Sequence, residues 1–453
     1  METIRTVDVQ DFINSHKLTT YQLMIVALCF LAVAFDGFDT ASIGFIAPAI
    51  RKQWALSALQ LAPVFGGGLF GLMIGALLFG PLADRFGRKP ILCVSVALFG
   101  VLCLWSAYAT SLRELILLRF LTGLGLGGAM PTAIAMTSEF GPEKQRSLLV
   151  TSMFCGFTLG GASGGLVASQ IMPLHGWQGV LLFGGTMPLL LVPVLVWLLP
   201  ESVRYLALNG RKREQVARTL QRIAPQEALD HATFTVPENK AKGSPVRNLF
   251  GNEVIVGTVC LWLTFFMSLM VYYLLTSWLP TVIHSTGISL GKTALVAAAL
   301  PLGSTVGAVL IGRLMDRHSP YLVLAGSYLI AAMFILLIGV ALSLPMLVFA
   351  VFGAGFATGG AQTGANALAA AYYPTASRVS GVSWALGTGR VGSIVGSMIG
   401  GVLLAMHLSL PIMFVLIAIP AIVAALSMFG MGRHEAALRS SEVARTPHGS
   451  VQP

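Results

Sequence analysis

The sequence predicts an all-α polytopic membrane protein with twelve transmembrane helices in two six-helix halves. Three observations lead to this fold class: an apolar composition, a regular series of long apolar segments, and a repeat that relates the two halves. Of the 453 residues, 55% are hydrophobic and 10% are charged, whereas soluble domains carry about 25% charged residues. So little polar surface cannot cover a soluble globule, which excludes an ordinary soluble enzyme.

The apolar residues are collected in twelve segments, each long enough for the roughly 20 residues of a membrane-spanning helix. They lie near residues 21–48, 58–82, 90–110, 114–137, 147–172, 177–199, 254–280, 289–313, 319–341, 344–369, 379–404 and 408–431. Because backbone groups in lipid must bond within their own segment, each is expected to be a helix. The chain then divides into an N-terminus, a first six-helix half, a central loop, a second six-helix half and a tail, at residues 1–20, 21–199, 200–253, 254–431 and 432–453.

Positive charge is distributed unevenly between the two sides of this layout. If successive segments alternate in direction, 22 of the 28 Lys and Arg residues fall on the side that carries both termini and the central loop. Lys and Arg collect on the cytoplasmic side of membrane proteins. We therefore expect a multi-pass membrane protein with both termini and the central loop in the cytoplasm. The same rule explains the net charge of +10 without a nucleic-acid partner.

The two halves of the chain resemble each other. Residues 71–85 read GLMIGALLFGPLADR and residues 303–317 read GSTVGAVLIGRLMDR, with eight of fifteen positions identical. The same offset of 232 residues pairs Pro48 with Pro280. Two six-helix halves repeated in the same orientation resemble the major facilitator fold, in which the substrate site lies between the halves near the middle of the membrane.

The loop between the second and third segments carries a dense charge cluster. Residues 80–89 read GPLADRFGRK and resemble the loop signature of major facilitator transporters, while residues 312–317 hold a weaker copy in the second half. Such a cluster can hold two helices together in one state and release them in another. A solvated membrane anchor is the alternative interpretation. The residues that we expect to take part in gating are Asp84, Arg85, Arg88, Asp316 and Arg317.

The first segment contains two carboxylates, Asp36 and Asp39, in an otherwise apolar run. Charges at membrane depth are costly and usually mark ion or substrate pathways. Residues three apart share one helix face. A carboxyl group placed in this way can take up and release a proton, so we predict proton coupling by this pair. The alternative is a structural aspartate at a contact between helices.

Three motifs carry a resemblance to a specific family. They are DGFD at 36–39, GPLADRFGRK at 80–89 and RFLTGLGLGGAMP at 119–131, and together they resemble aromatic acid:proton symporters of the major facilitator superfamily. The resemblance implies proton-coupled uptake of an aromatic carboxylate across the bacterial inner membrane by alternating access. It favours 4-hydroxybenzoate or protocatechuate as the substrate. It leaves open 3-hydroxybenzoate, gentisate, benzoate, vanillate and muconate. In that family the paired aspartates and the loop aspartate are required for transport, which maps onto Asp36, Asp39 and Asp84.

Two arginines, Arg119 and Arg390, also lie within apolar segments. An arginine binds a carboxylate through two parallel hydrogen bonds. We favour Arg390 as the partner of the substrate carboxylate and keep Arg119 as a second candidate, because it has the alternative of pairing with an acidic residue.

An aromatic substrate needs flat apolar walls and partners for its ring hydroxyls. Aromatic residues within segments are more often core or lipid-facing, so each is a candidate only. The candidates for contact with the ring or its hydroxyls are Phe38, Tyr273, Trp278, Gln362, Asn366 and Trp384.

Two other functions remain open. A proton-coupled exporter is disfavoured because Gly161 stands where the exporter signature has proline. A chemosensory membrane receptor would need a signalling partner, which the central loop would have to bind. We expect no enzyme activity, no cofactor and no metal. The expected partners are a small aromatic acid, protons and lipid, and the expected state is a monomer.

Overall fold

The computed structural model describes residues 6–208, 213–227, 229, 232–235, 249, 254–373 and 378–445. In these residues eleven helices are long and apolar enough to cross a membrane. They are α2 Thr20–Gln53, α3 Ala58–Phe86, α4 Arg88–Ser106, α5 Leu112–Phe140, α6 Glu143–Leu198, α9 Ile255–Ser285, α10 Leu290–Met315, α11 Pro320–Gly339, α12 Leu344–Tyr372, α13 Arg378–Ala405 and α14 Leu410–Arg445. Three shorter helices lie outside this set: α1 Val9–Ser15, α7 Val203–Leu208 and α8 Arg213–Gln221.

Helix α6 contains two membrane crossings rather than one. It is 56 residues long, which corresponds to about 80 Å, far more than the thickness of a bilayer. The backbone leaves helical geometry at Gly176, with φ 65° and ψ −171°, a conformation that glycine adopts readily. The predicted segments 147–172 and 177–199 meet at this bend, so the described residues provide the twelve crossings that the sequence predicts.

The start of α2 is fixed by its own sequence. The Oε1 atom of Gln22 accepts a hydrogen bond from the backbone N–H of Thr19 at 2.9 Å, and the Thr19 hydroxyl accepts one from the Gln22 N–H at 3.4 Å. This reciprocal arrangement satisfies two backbone donors that the first turn leaves unpaired. The Gln22 side chain also donates to the carbonyl of Phe140 at 2.7 Å, which ties the start of α2 to the end of α5.

The chain forms two compact units. Unit 1 contains the described residues within Met1–Lys240, Thr276–Ala298 and Gly400–Ala405, and unit 2 contains those within Ala241–Leu275, Ala299–Ile399 and Met406–Pro453. Unit 1 therefore includes two segments of the second six-helix half. In unit 2 helix α11 packs against α14 and against α12.

Helices α2 and α6 approach each other closely in unit 1. A Cβ atom at Gly37 would lie 1.9 Å from the carbonyl oxygen of Phe157, and one at Gly160 would lie 1.8 Å from that of Ala34. No larger side chain fits at either position, since small residues let helix backbones meet in a membrane. The glycine between the two buried aspartates is thus required for helix packing.

The N-terminal residues from Thr6 to Ser15 fold against the central segment, a contact that the sequence does not predict. Strand β1 (Thr6–Asp8) pairs in parallel with strand β2 (Thr233–Thr235). Helix α1 follows, and Asp8 caps it by accepting from the backbone N–H groups of Gln10 and Asp11 at 2.8 and 3.0 Å. Phe12 and Ile13 are buried in a hydrophobic cluster that also contains residues of α7 and α8. The first residues thereby hold the central segment to unit 1.

Candidate functional site

The two aspartates of α2 are completely buried. Asp36 and Asp39 each have 0% of their surface exposed, and α2 extends well beyond both of them in each direction. Asp36 accepts a hydrogen bond from the hydroxyl of Thr40, one turn further along, at 3.3 Å. The thiol of Cys103 on α4 borders Asp39. The structure thus places both carboxyl groups inside the helix bundle, away from water.

Arg119 on α5 reaches across to Asp39. Its Nη1 and Nη2 atoms lie 3.0 and 2.7 Å from the two carboxylate oxygens of Asp39, and its side chain is 3% exposed. Two parallel hydrogen bonds make this a bidentate pair, the strongest geometry available to arginine and carboxylate. One of the two predicted intramembrane arginines is therefore neutralised by one of the two predicted aspartates.

Phe38, between the two aspartates, lies in a packing contact between helices. Its ring is 5.6 Å from that of Phe183 on α6, and a Cβ atom at Gly184 would lie 2.8 Å from it. The side chain is buried. Phe38 therefore takes part in the packing of α2 against α6.

The second arginine, Arg390 on α13, has a different environment. Its Nη1 atom donates to the hydroxyl of Tyr273 on α9 at 3.3 Å, and the arginine is partly buried. Among the described residues of unit 2, no carboxylate lies within 4.0 Å of the Arg390 guanidinium. The two helices touch, since a Cβ atom at Gly392 would lie 2.2 Å from the carbonyl oxygen of Phe266. Close packing at this glycine brings Arg390 to Tyr273.

Polar groups continue from Tyr273 into α10 and α12. The ring of Tyr273 packs edge-on against Tyr272 at 5.7 Å, and the Tyr272 hydroxyl bonds to the Ser304 side chain on α10. The Ser304 hydroxyl donates to the backbone carbonyl of Gly355 on α12 at 3.1 Å. The sequence analysis does not identify Ser304, because a single serine in an apolar helix carries no signal of its own.

Gln362 and Asn366 lie one turn apart on α12. The Nε2 atom of Gln362 donates to the Oδ1 atom of Asn366 at 3.2 Å, and both residues are partly buried. The two side chains that the sequence proposes as partners for ring hydroxyls are thus brought together, with the carboxamide of Gln362 held by Asn366.

The two candidate tryptophans lie in different units. Trp278, at 1% exposure, belongs to unit 1, where its ring meets that of Phe65 at 5.0 Å and a Cβ atom at Gly400 would lie 2.2 Å from it. Trp384, at 49% exposure, belongs to unit 2 and stacks on Trp262 at 5.8 Å. Trp278 therefore packs in the interior of unit 1, whereas Trp384 keeps an open face.

The predicted charged loop is reduced to Gly87, since α3 ends at Phe86 and α4 begins at Arg88. Two glutamates hold the charged residues at this junction. The Glu201 carboxylate accepts from the backbone N–H groups of Arg88 and Lys89 at 2.8 and 3.1 Å. Gly87 has φ +102°, and a Cβ atom there would lie 2.3 Å from a Glu201 oxygen. The Arg88 side chain pairs with Glu139 at the end of α5. These contacts connect α3, α4, α5 and the start of the central segment.

The remaining gating residues are more exposed. Asp84 has a side chain that is 77% exposed and lies 3.8 Å from the Arg88 guanidinium, and the Arg85 guanidinium stacks on Phe86 at 5.3 Å. In the second half, Asp316 and Arg317 follow the last residue of α10 and are exposed. The first-half cluster is therefore a network centred on Arg88, and the second-half copy is solvated.

Sequence reasoning missed Glu139 and Glu201, the partners of this network. Glu201 lies in the LPES sequence at 199–202, directly after the sixth crossing. A charged residue at that position is a signal that the sequence offers. Glu139 ends α5 and accepts a hydrogen bond from the hydroxyl of Ser202. An acidic residue at the same end of the bundle as a basic loop was the available signal.

Comparison with known proteins agrees with this architecture. The sequence profile of the Major Facilitator Superfamily matches residues 29–300 and 261–451. A gallate transporter of Pseudomonas putida is 44% identical over 97% of this chain and 98% of its own length. The 4-hydroxybenzoate transporter PcaK of Pseudomonas aeruginosa is 46% identical over 94% of this chain and 95% of its own.

Solved structures show the same fold at low identity. The inward-open xylose transporter XylE of E. coli superposes with a TM-score of 0.71 at 18% identity, covering 90% of this chain and 96% of that one. An inward-facing bacterial homologue of the human lysosomal transporter Spinster gives a TM-score of 0.68 at 17% identity, over 92% and 98% of the two chains. With its profile match, its relatives and its helical architecture, the chain belongs to the Major Facilitator Superfamily and is a membrane transporter, not an enzyme.

Proposed function

We propose that this transporter imports an aromatic carboxylate together with protons across the bacterial inner membrane. Relatives at 44 to 46% identity are named as transporters of 4-hydroxybenzoate and gallate, and a relative at 32% is named a benzoate transport protein. The observation that carries the proposal is that the two intramembrane arginines have different hydrogen-bond partners. Arg119 is neutralised by Asp39, whereas Arg390 donates to a tyrosine hydroxyl and has no carboxylate beside it among the described residues of its own unit.

Arg390 is the proposed partner of the substrate carboxylate. An unpaired guanidinium in an apolar helix is unfavourable, and an anion that accepts two of its N–H groups removes that cost. The Tyr273 hydroxyl accepts from the guanidinium at 3.3 Å, which places it beside the proposed carboxylate site. The ring faces of Tyr272 and Tyr273 provide an aromatic surface beside it, which suits a planar ring.

Asp36 and Asp39 are the proposed proton sites. Protonation of Asp39 would neutralise its carboxylate and release the Arg119 guanidinium. The released guanidinium is then able to bind an anion, and we propose that Arg119 contributes to substrate binding in this way. Asp36 lies one turn away on the same helix and is buried to the same extent. The binding of substrate and the binding of a proton thereby become mutually dependent, because each changes the net charge of the groups that bind the other.

The energetics depend on how many protons accompany each anion. With one proton per monovalent carboxylate the cycle moves no net charge, and the pH gradient supplies the driving force. One pH unit is worth about 1.4 kcal/mol, which supports about tenfold accumulation. A second proton would add the membrane potential, at about 2.3 kcal/mol per 100 mV.

The network around Arg88 is the proposed gate. Its contacts join α3, α4, α5 and the start of the central segment, so making and breaking them would couple these elements during alternating access. Asp84, Arg85, Asp316 and Arg317 complete the proposed gating set. In this proposal the protein works as a monomer surrounded by lipid, with both termini in the cytoplasm.

The test is uptake of labelled 4-hydroxybenzoate by intact cells that produce the protein, with and without a protonophore. We expect accumulation that the protonophore abolishes, and competition by gallate, protocatechuate and benzoate. Lower cell content than in control cells would indicate an exporter. Binding of the acid to membranes that hold the protein, without protonophore-sensitive uptake, would indicate a receptor; either result contradicts import by symport.

A further inference from the structure

A carboxamide oxygen on α12 lacks a hydrogen-bond donor among the residues that the structure describes. The Oε1 atom of Gln362 on α12 is buried and forms no hydrogen bond with any part of the chain that the structure describes. The other end of the same carboxamide is occupied, because Nε2 donates to Asn366 at 3.2 Å. A buried carbonyl without a donor is unfavourable. Asn366 thus fixes an acceptor that none of the described residues occupies.

The position of this acceptor on α12 follows from helix geometry. Residues separated by three, four or seven positions share one face of a helix, so Gln362 lies on the face that carries Gly355 and Gly359. Gly355 accepts from the Ser304 hydroxyl, and a Cβ atom at Gly359 would lie 2.3 Å from the Ser304 side chain. Gln362 is therefore about one helical turn, roughly 5 Å, beyond the contact between α12 and Ser304.

The same polar contact leads back to the proposed carboxylate site. Ser304 bonds to Tyr272, whose ring packs on Tyr273, and Tyr273 bonds to Arg390. The backbones of the two residues also lie at similar distances from helix ends that follow each other in the chain. Gln362 is ten residues from the end of α12 at Tyr372 and Arg390 is twelve residues from the start of α13 at Arg378, which correspond to about 15 and 18 Å along the two helix axes.

We infer that Gln362 accepts a hydrogen bond from a phenolic hydroxyl of the substrate and is a specificity-determining residue. The inference rests on the proposed function, since it names the residue that binds the hydroxyl end of the substrate whose carboxylate Arg390 is proposed to bind. It names the preferred class as hydroxybenzoates rather than unsubstituted benzoate. A site built around a fixed acceptor rejects the analogue that lacks the hydroxyl, because the acceptor is then left buried and unpaired.

The test is equilibrium binding of labelled 4-hydroxybenzoate and labelled benzoate to the purified transporter in detergent, without a pH gradient. The variant Gln362→Met keeps the length of the side chain and removes the acceptor. We expect the wild type to prefer 4-hydroxybenzoate by about tenfold, the worth of one hydrogen bond. In Gln362→Met this preference should fall to less than twofold, through weaker binding of 4-hydroxybenzoate.

Two variants keep the result interpretable. Gln362→Glu retains an acceptor and should keep a clear preference for the hydroxylated ligand. This variant can be measured even if Gln362→Met folds poorly. Thr363→Val is the matched control on the neighbouring residue, whose hydroxyl donates to the backbone of Gly359 at 3.1 Å, and it should leave the preference unchanged.

Two results would overturn the inference: an unchanged preference in Gln362→Met, as expected if a water molecule satisfies the acceptor, or equal weakening of both ligands. Failure of the proposed function has a different signature. In that case the wild type binds neither ligand, or binds both and shows no protonophore-sensitive uptake.

Discussion

Arg119 and Asp39, which are 80 positions apart in the chain, form a two-point ion pair inside unit 1 at 3.0 and 2.7 Å. Both side chains are nearly inaccessible, at 3% and 0% exposure. A buried pair of this kind contributes little net stability, because removing both charges from water is costly. In a transporter, a proton that binds Asp39 or an anion that binds Arg119 would separate the pair, so the pair can take part in switching between conformational states.

The pair predicts an asymmetric response to mutation. Asp39→Leu leaves a buried, uncompensated guanidinium and should destabilise the protein by about 3 kcal/mol, whereas the double variant Asp39→Leu/Arg119→Met removes both charges and should recover most of that loss. Thermal unfolding in detergent measures both. If the double variant is less stable than Asp39→Leu, Arg119 is not stabilised chiefly by Asp39.

Arg390 predicts a dependence on guanidinium geometry. Arg390→Lys retains the charge but cannot form two parallel hydrogen bonds, so the KM for 4-hydroxybenzoate should rise about tenfold, and Arg390→Gln should raise it further. Uptake at a range of substrate concentrations measures this. Arg313→Gln, at the exposed end of α10, is the control and should leave KM within about twofold of the wild type, a range typical of surface substitutions. A KM in Arg390→Gln equal to that of the wild type would remove Arg390 from the site.

The fold was predictable because the membrane imposes it. Long apolar segments have to be helices in lipid, and the bend at Gly176 lies between two segments that the sequence already separates. The depth of Asp36 and Asp39 was predictable for the same reason. That Arg119 pairs with Asp39 was not, because it depends on how α2 packs against α5, and the sequence analysis left Arg119 open between substrate and an acidic residue.

Other parts depend on contacts that leave no local pattern. Phe38 and Trp278 each lie in an apolar run of sequence. Their contacts with the rings of Phe183 and Phe65 depend on how the helices pack and leave no pattern in the sequence. The pairing of β1 with β2 joins residues more than 200 positions apart. Two strands of three residues each are too short to be recognised from alternation of polar and apolar residues.

The Arg88 network predicts an effect on turnover. Glu201 accepts from three backbone N–H groups, those of Arg88, Lys89 and Ser202. Glu201→Gln weakens these charge-assisted bonds, each worth about 1.5 to 3 kcal/mol, and should lower the maximal uptake rate severalfold with little change in KM. Initial-rate measurements test this.

The control for Glu201 is Glu214→Gln. Glu214 lies on α8 with a side chain that is 86% exposed and pairs only with Arg218 at 3.3 Å among the described residues. Exposed pairs contribute about 0.2 to 1 kcal/mol, so its uptake rate should equal that of the wild type. Equal rates for the Glu201 and Glu214 variants would exclude Glu201 from gating.

The N-terminal residues predict an effect on the central segment. Ile13 on α1 is 0% exposed within the cluster that contains α7 and α8, and Ile13→Ala should cost about 3 kcal/mol through the cavity that it leaves. We expect faster proteolysis of the central segment in inside-out vesicles. Asp11→Asn, at an exposed position of the same helix, should be cleaved at the wild-type rate. Wild-type protection in Ile13→Ala would show that α1 does not hold the central segment.

The central claim is that Asp36 and Asp39 couple protons to substrate movement. The most direct measurement compares pH-driven accumulation with substrate exchange in proteoliposomes, using labelled 4-hydroxybenzoate and an alkaline interior. The wild type should accumulate substrate by about tenfold per pH unit. Asp36→Asn and Asp39→Asn should each lose this accumulation, and Asp36→Asn should still exchange substrate across the membrane. Accumulation by both variants at the wild-type level would contradict the account.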